Sequence, residues 1–171
     1  MALILLRHTT PQVLPGTCYG QLDLPLADTF ETEAQSVLET VPEISTIIAS
    51  PLIRCRTLAE RIAQDRALSV TLEPRIIEMD FGSWEGKTWS DIPRPELDQW
   101  AGDFMHARPH GGESVAMLTA RVQACLQDLT THSDPVLVVT HAGVIKAARA
   151  TDATADSYAT QIEFGGMVTL P

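Results

Sequence analysis

The stretch Ala2-Leu3-Ile4-Leu5-Leu6-Arg7-His8-Thr9 decides the reading of this chain. An unbroken apolar run ends on a cation and an imidazole. A run of this length reads as a strand covered on both faces, as in a parallel sheet. Open α/β sheets hold their ligands beyond the carboxyl ends of such strands. The pattern returns late in the chain, where Pro135-Val136-Leu137-Val138-Val139-Thr140 ends on His141-Ala142-Gly143. Two buried strands that each end in histidine share a crevice only if they lie near each other in one parallel sheet. Brought together in that way, the pair suits phosphoryl transfer.

The segments between these two strands alternate in type. Thr9 to Asp28 is a long loop rich in turn formers, including Pro11, Pro15, Gly16, Gly20 and Pro25. Loops of this length are commonly functional. Thr29 to Val41 reads as a helix with Phe30, Ala34, Val37, Leu38 and Val41 on one face. Thr46 to Ala49 is a buried strand. Ser50-Pro51 then opens a helix to about Ala63, with serine as the expected N-cap and proline in the first turn. Val70 to Leu72 is a short strand, and Glu78 to Lys87 is irregular and aromatic. Pro93 to Phe104 holds one or two short helices, and Pro109 to Gly112 is a turn. Ser114 to Leu129 is amphipathic, with Val115, Leu118, Val122, Cys125, Leu126 and Leu129 at helical spacing. A helix from Gly143 to about Ala150 follows the second histidine strand. Tyr158 to Phe164 and Met167 to Leu170 are expected to pair as a hairpin across Gly165-Gly166. The expected fold is α/β: a three-layer α/β/α sandwich with a mostly parallel sheet, an irregular helical insert and a C-terminal β-hairpin.

A chain of 171 residues, 44% apolar and 20% charged, fits one globular domain over 1–171. Its net charge of −10 argues against a nucleic-acid partner, which needs cations to meet phosphates. An anionic substrate would need a locally positive pocket within this acidic field. Cys18, Cys55 and Cys125 form no CxxC pair and read as small apolar filler in a reducing compartment. No stretch reaches membrane-spanning length, and the first apolar run is short for a signal peptide. No membrane association and a cytoplasmic location are expected.

Arg7, His8, His141 and an arginine of the Ser50-Pro51 helix would form a cationic cup at strand-to-helix junctions. Arginine's planar fork matches phosphate oxygens, and helix-start N–H groups add to the field. Arg54 and Arg56 lie about 200° apart on a helix, so only one can line the cup. Spacing alone does not choose between them. In Glu78-Met79-Asp80-Phe81-Gly82-Ser83-Trp84-Glu85-Gly86, the bland reading is a surface loop with solvated acids. The functional one places Glu78, partly desolvated, beside the imidazoles as a general acid. A P-loop ending at Gly86-Lys87-Thr88 would need glycine at position 81, where phenylalanine stands. The histidine and carboxylate spacings match no zinc pattern, so no metal and no cofactor are expected. His106, His110 and His132 read as surface groups, with His110, just before Gly111-Gly112, also able to approach the rim of the site. Trp84, Trp89 and Trp100 read as packing for the insert.

Taken together, these motifs resemble the histidine phosphatase superfamily, which includes cofactor-dependent phosphoglycerate mutases. Arg7-His8-Thr9 is similar to its Arg-His-Gly opening, with threonine in place of glycine. Ser50-Pro51-Leu52-Ile53-Arg54-Cys55 resembles its S-P-L-x-R-A helix start, which selects Arg54. Glu78 to Gly86, Pro109 to Ser114 and His141-Ala142-Gly143 resemble its later motifs in order. Within the superfamily, the proline after Arg-His-Thr, the run from Gly16 to Leu26 and Arg54-Cys55-Arg56 look like α-ribazole phosphatases of cobalamin biosynthesis. In this chain 144–158 is short and Ala/Thr/Asp-rich, where those relatives carry a longer apolar helix.

The resemblance implies a metal-independent phosphomonoesterase acting on a small sugar- or nucleotide-like phosphate, such as α-ribazole 5'-phosphate. His8 would be the nucleophile that forms a phosphohistidine. Arg7, Arg54 and His141 would hold the equatorial oxygens, and Glu78 would protonate the leaving oxygen. Arg7, Gln21, Arg54, Thr9 and Ala142 are the implied substrate-binding positions, with the insert of about 78–113 forming the rim. Two rival readings keep the same site: a mutase that returns the phosphoryl group to a second substrate oxygen, and a catalytically weak phospholigand-binding module. Small α/β enzymes often pair about a two-fold axis, so a homodimer is an open expectation.

Overall fold

A computed structural model describes residues 2–170. Among them, β1 (Leu3–Arg7), β2 (Thr46–Ala49), β3 (Val70–Leu72), β4 (Val136–Thr140) and β5 (Met167–Leu170) form a sheet of order β3-β2-β4-β1-β5. The helices are α1 (Phe30–Thr40), α2 (Ile53–Arg66), α3 (Arg94–Gly102), α4 (Val115–Leu129) and α5 (Ala142–Arg149). The pairs β1–β4, β2–β4 and β2–β3 are parallel, and β5 runs antiparallel to β1. The chain moves outward from β1 to β2 and β3, then returns to insert β4 between β2 and β1. The two histidine strands are therefore neighbours, with Arg7 in register with Thr140.

The apolar runs work because alternate residues serve opposite faces. Ile4 and Leu6 of β1, with Leu137 and Val139 of β4, face α1 and α2 and meet Val37, Leu58 and Ile62. Leu3 and Leu5, with Val136 and Val138, face α4 and α5 and meet Val122, Val144 and Ile145. Each fully buried aliphatic side chain of this kind contributes about 1.5–3 kcal/mol. The same parity sends His8 and His141 towards the α2 side, and Arg7 towards the other.

One expected element is corrected. Tyr158 to Phe164 forms no strand: Ala155–Tyr158 is a 3-10 turn, and β5 pairs with β1 alone. The hairpin is replaced by a single edge strand, because this segment turns a backbone carbonyl towards Arg7 instead of a strand ladder. In the insert, Trp84 is fully buried and packs against Trp100 with ring centroids 5.7 Å apart. Among the described residues no helix is long and apolar enough to cross a membrane.

Candidate active site

The end of β1 is held from both sides. His8 N–H donates to the Thr140 carbonyl at 3.0 Å, and Gly165 N–H reaches the Arg7 and His8 carbonyls at 3.1 and 3.2 Å. Gly165 has φ +70°, a conformation that favours glycine. His8 is buried, and its Nδ1 lies 2.7 Å from the Thr9 carbonyl oxygen. A carbonyl only accepts, so Nδ1 carries the proton and Nε2 carries the lone pair. Burial first, then the charge of Arg54, pull the His8 pKa down to about 3, against the opposing hydrogen bond to Thr9. The imidazole is neutral at ordinary pH.

His141 meets His8 edge-on, with ring centroids 5.2 Å apart. Burial, followed by the charges of His8 and Arg54, holds its pKa well below the ordinary histidine value. Its Nε2 lies 2.7 Å from Ser50 Oγ and 3.4 Å from Cys55 Sγ. Ser50 therefore does not cap α2 as expected. The helix has Leu52 as its N-cap residue, and the Asp23 carboxylate accepts from Ile53 N–H at 2.7 Å. A capping side chain from the long loop leaves the serine hydroxyl available to the imidazole.

The structure resolves the choice between the two arginines. Arg54 is fully buried, whereas the Arg56 side chain is 44% exposed and pairs with Glu60 at 3.7 Å. Arg54 donates through Nη1 to the Leu22 carbonyl and through Nη2 to the Gly20 carbonyl, both at 2.6 Å. Arg7 donates through Nη1 to the Ile162 carbonyl at 2.6 Å and stacks on Phe164, 3.9 Å from the ring centroid. The Nε–H of each arginine is buried and has no protein partner. Buried donors of this strength call for an acceptor, and two cations call for an anionic one.

Glu78 is nearly buried. Its carboxylate accepts from Met79 N–H at 2.9 Å and from Gly143 N–H, at the start of α5, at 3.0 Å. A Cβ on Gly143 would stand 2.3 Å from Glu78 Oε1, so only glycine allows this approach. Gln21 donates to the Glu78 backbone carbonyl at 3.2 Å, which ties it to the irregular segment carrying the acid. Thr9 is fully buried, and its hydroxyl has no partner. Ala142 and Gly143 line a cleft together with Glu78.

Some residues here carried no readable signal. Arg121 reaches from α4 to the Glu78 carbonyl at 3.0 Å and pairs with Glu113 at 2.7 Å. Tyr19 lies under Arg54, 5.2 Å from ring centroid to guanidinium carbon. Neither belongs to a local pattern; only the packing of distant segments shows them. His110, expected at the surface, is buried: its Nδ1 accepts from Gly112 N–H at 2.9 Å, and its ring packs 4.9 Å from Trp84. Its place in a tight aromatic turn explains the correction. His106 and His132 are exposed, as expected.

A three-layer α/β fold that gathers Arg7, His8 and His141 at the ends of adjacent strands with Arg54 at the start of α2, both histidines neutral, defines a phosphatase of the histidine type. The sequence profile of the histidine phosphatase superfamily (branch 1) matches residues 3–159, and the chain belongs to that family. It is 30% identical over 153 residues to the adenosylcobalamin/alpha-ribazole phosphatase of Escherichia coli, covering 85% of this chain and 75% of the relative. It is also 30% identical over 162 residues to a glucosyl-3-phosphoglycerate phosphatase of Mycobacterium tuberculosis, covering 85% and 72%. The structure of a mycobacterial glucosyl-3-phosphoglycerate phosphatase with inorganic phosphate superposes with a TM-score of 0.86 at 25% identity, over 99% of this chain and 89% of that one.

Proposed function

We propose that this protein is a metal-independent phosphomonoesterase that works through a phosphohistidine on His8. One observation carries the reading. His8 Nδ1 is committed to the Thr9 carbonyl, so Nε2 holds a bare lone pair beside two arginines whose Nε–H groups lack protein acceptors. Nε2 attacks phosphorus, the N–P bond forms and the bond to the ester oxygen breaks. Glu78 gives its proton to that oxygen, and the alcohol leaves. Water then attacks the phosphohistidine while the Glu78 carboxylate takes its proton, and the N–P bond breaks to release phosphate. Arg7, Arg54 and His141 stabilise the three equatorial oxygens as charge builds on them. Thr9 and Ala142 shape the phosphate side, Gln21 steadies Glu78, and the insert of 78–113 forms the rim.

The substrate is a small sugar- or nucleotide-like phosphate. Kinship with a relative named for alpha-ribazole supports α-ribazole 5'-phosphate as the first compound to try. The test is acid-labile labelling: mix the enzyme with a radiolabelled phosphomonoester, quench in alkali and map the labelled peptide. Label on the peptide containing His8, lost in His8→Ala together with turnover, is expected. Full turnover in His8→Ala overturns the mechanism. Label passed to a second substrate hydroxyl without phosphate release overturns the hydrolytic reading in favour of a mutase.

A further inference from the structure

Phe164 is 36% exposed, so burial alone does not account for where its ring sits. It belongs to the irregular segment between the 3-10 turn Ala155–Tyr158 and β5. That segment grips Arg7 at several points. The Ile162 carbonyl accepts from Arg7 Nη1 at 2.6 Å, and the Gly166 carbonyl accepts from Arg7 backbone N–H at 2.9 Å. Between them, the Phe164 ring covers the guanidinium, with its centroid 3.9 Å from the guanidinium carbon. Gly165, at φ +70°, makes the turn that allows all three contacts, and Met167 then starts the ladder opposite Leu6. The same ring lies 5.7 Å from the His8 imidazole, tilted by 43°.

We propose that Phe164 is a positioning residue of the phosphate cup: its ring face fixes the plane of the Arg7 guanidinium and so aims the free Nε–H at the phosphoryl group. The inference rests on the phosphatase reading above, which gives Arg7 a phosphoryl oxygen to hold. The bond from Nη1 to Ile162 fixes one corner of the guanidinium but lets the group swing about that bond. A ring stacked on the face removes the swing. The guanidinium is a rigid planar fork, so a fixed corner and a fixed face together set the direction of Nε–H. That donor is buried and has no protein partner. The ring attracts the cation through its electron-rich face and leaves the N–H edges unoccupied. A carboxylate in the same place would take those edges and compete with the phosphate. An aliphatic side chain would cover the guanidinium without attracting it. A cation oriented before the substrate arrives lowers the cost of binding and is already in place when charge builds on the oxygens.

The test uses the full chain, the variants Phe164→Leu and Phe164→Trp, and chains with phenylalanines carrying one, two or three ring fluorines in place of Phe164. Each fluorine drains the ring face and changes its shape little. Two quantities are read: calorimetric binding of inorganic phosphate, and kcat/KM on phenyl phosphate. Phe164→Leu is expected to lower both by about threefold to tenfold, and Phe164→Trp to recover most of that loss. Both should fall stepwise along the fluorine series, which carries the comparison where Phe164→Leu fails to fold. In an Arg7→Ala background the same changes are expected to leave the residual kcat/KM unaltered, because the ring has no cation to orient. Binding and turnover that stay level along the fluorine series, or a loss that persists in Arg7→Ala, overturn the role of Phe164 and leave the phosphatase standing. Phosphate binding that follows the ring, with no hydrolysis of any phosphomonoester, overturns the reaction and keeps Phe164 as the residue that orients Arg7. A wild-type chain that binds no phosphate overturns both.

Discussion

His8 Nδ1 donates to the carbonyl oxygen of the next residue, Thr9, at 2.7 Å, and this short contact sets which ring nitrogen is free. The same imidazole has its pKa lowered to about 3, chiefly by burial. The attacking form is therefore fully populated from neutrality down to mildly acidic pH. Between pH 7 and 5, kcat/KM should show no fall attributable to this histidine, because that parameter reports the free enzyme. The check is a pH profile on enzyme kept folded, with circular dichroism alongside. An acid limb centred near 6.5 that survives substitution of His106, His110 and His132 would contradict the environment described.

Stability should depend on pH with the opposite feel. An unfolded histidine takes its proton near 6.5, whereas folded His8 takes it at about 3 and His141 also well below its ordinary value. Between these values the unfolded chain binds more protons. Stability is then complete above pH 6.5 and falls as pH drops towards the folded values, by up to about 1.4 kcal/mol per pH unit for each imidazole. Urea unfolding at a series of pH values measures the slope. His8→Gln should make it shallower, by the share of one group.

Arg54→Lys keeps the charge but not the fork. Two of the arginine's nitrogens hold the Leu22 and Gly20 carbonyls, and Nε–H is the donor left over. A single ammonium cannot satisfy two loop carbonyls and an anion in that geometry. A fall in kcat/KM of about a hundredfold to a thousandfold is expected, with weaker inhibition by inorganic phosphate. Arg56→Lys, at the exposed neighbour, should leave both within about twofold.

These contrasts show what was legible in the chain. The apolar runs named the two central strands, because a strand covered on both faces needs no polar alternation. Their terminal histidines could be placed together because parallel strands align their carboxyl ends. Helical periodicity separated Arg54 from Arg56 in principle but could not say which faced inward; that depended on where Leu22 and Gly20 fold back. Ser50 misled, since Ser-Pro before a helix is a sound capping signal, yet Asp23, thirty residues away in the loop, takes that place. Apolar Tyr158, Ile162 and Phe164 imitated a strand, although they are positioned by Arg7 and by the face of α5. Long-range hydrogen bonds of this type leave no periodic trace.

Gly143→Ala tests the seat of the acid. The added methyl overlaps Glu78 Oε1, so the carboxylate must move from the helix start that holds it. The loss should depend on the leaving group. Alkyl phosphates, whose leaving oxygen needs a proton, should slow by about a hundredfold or more, and aryl phosphates far less. Glu78→Gln should show the same selectivity. An equal loss on both ester types in either variant would argue against proton delivery from this position.

Arg121 offers a test of support at a distance. Its guanidinium donates to Glu113 at 2.7 and 3.0 Å, to the Arg75 carbonyl at 2.7 Å and to the Glu78 carbonyl at 3.0 Å. It therefore pins the backbone from which the acid projects, without facing the phosphate cup. Both side chains of the Arg121–Glu113 pair are largely buried, at 20% and 10% exposure. Arg121→Met strips the nearly buried Glu113 carboxylate of its cation and the Arg75 carbonyl of its donor, and leaves the Glu78 carbonyl to Gln21 alone, so about 3–5 kcal/mol of stability should be lost. Adding Glu113→Gln removes the stranded charge and should restore part of it, so the double variant should be more stable than the single one. Activity should not follow that recovery. The Glu78 carbonyl lacks the Arg121 donor in both variants and keeps only Gln21, and the deficit on alkyl phosphates should persist while aryl phosphates are spared. Denaturant titration beside kinetics on the two ester classes separates these outcomes. Recovery of alkyl phosphate turnover in step with stability would show that Arg121 serves the fold alone.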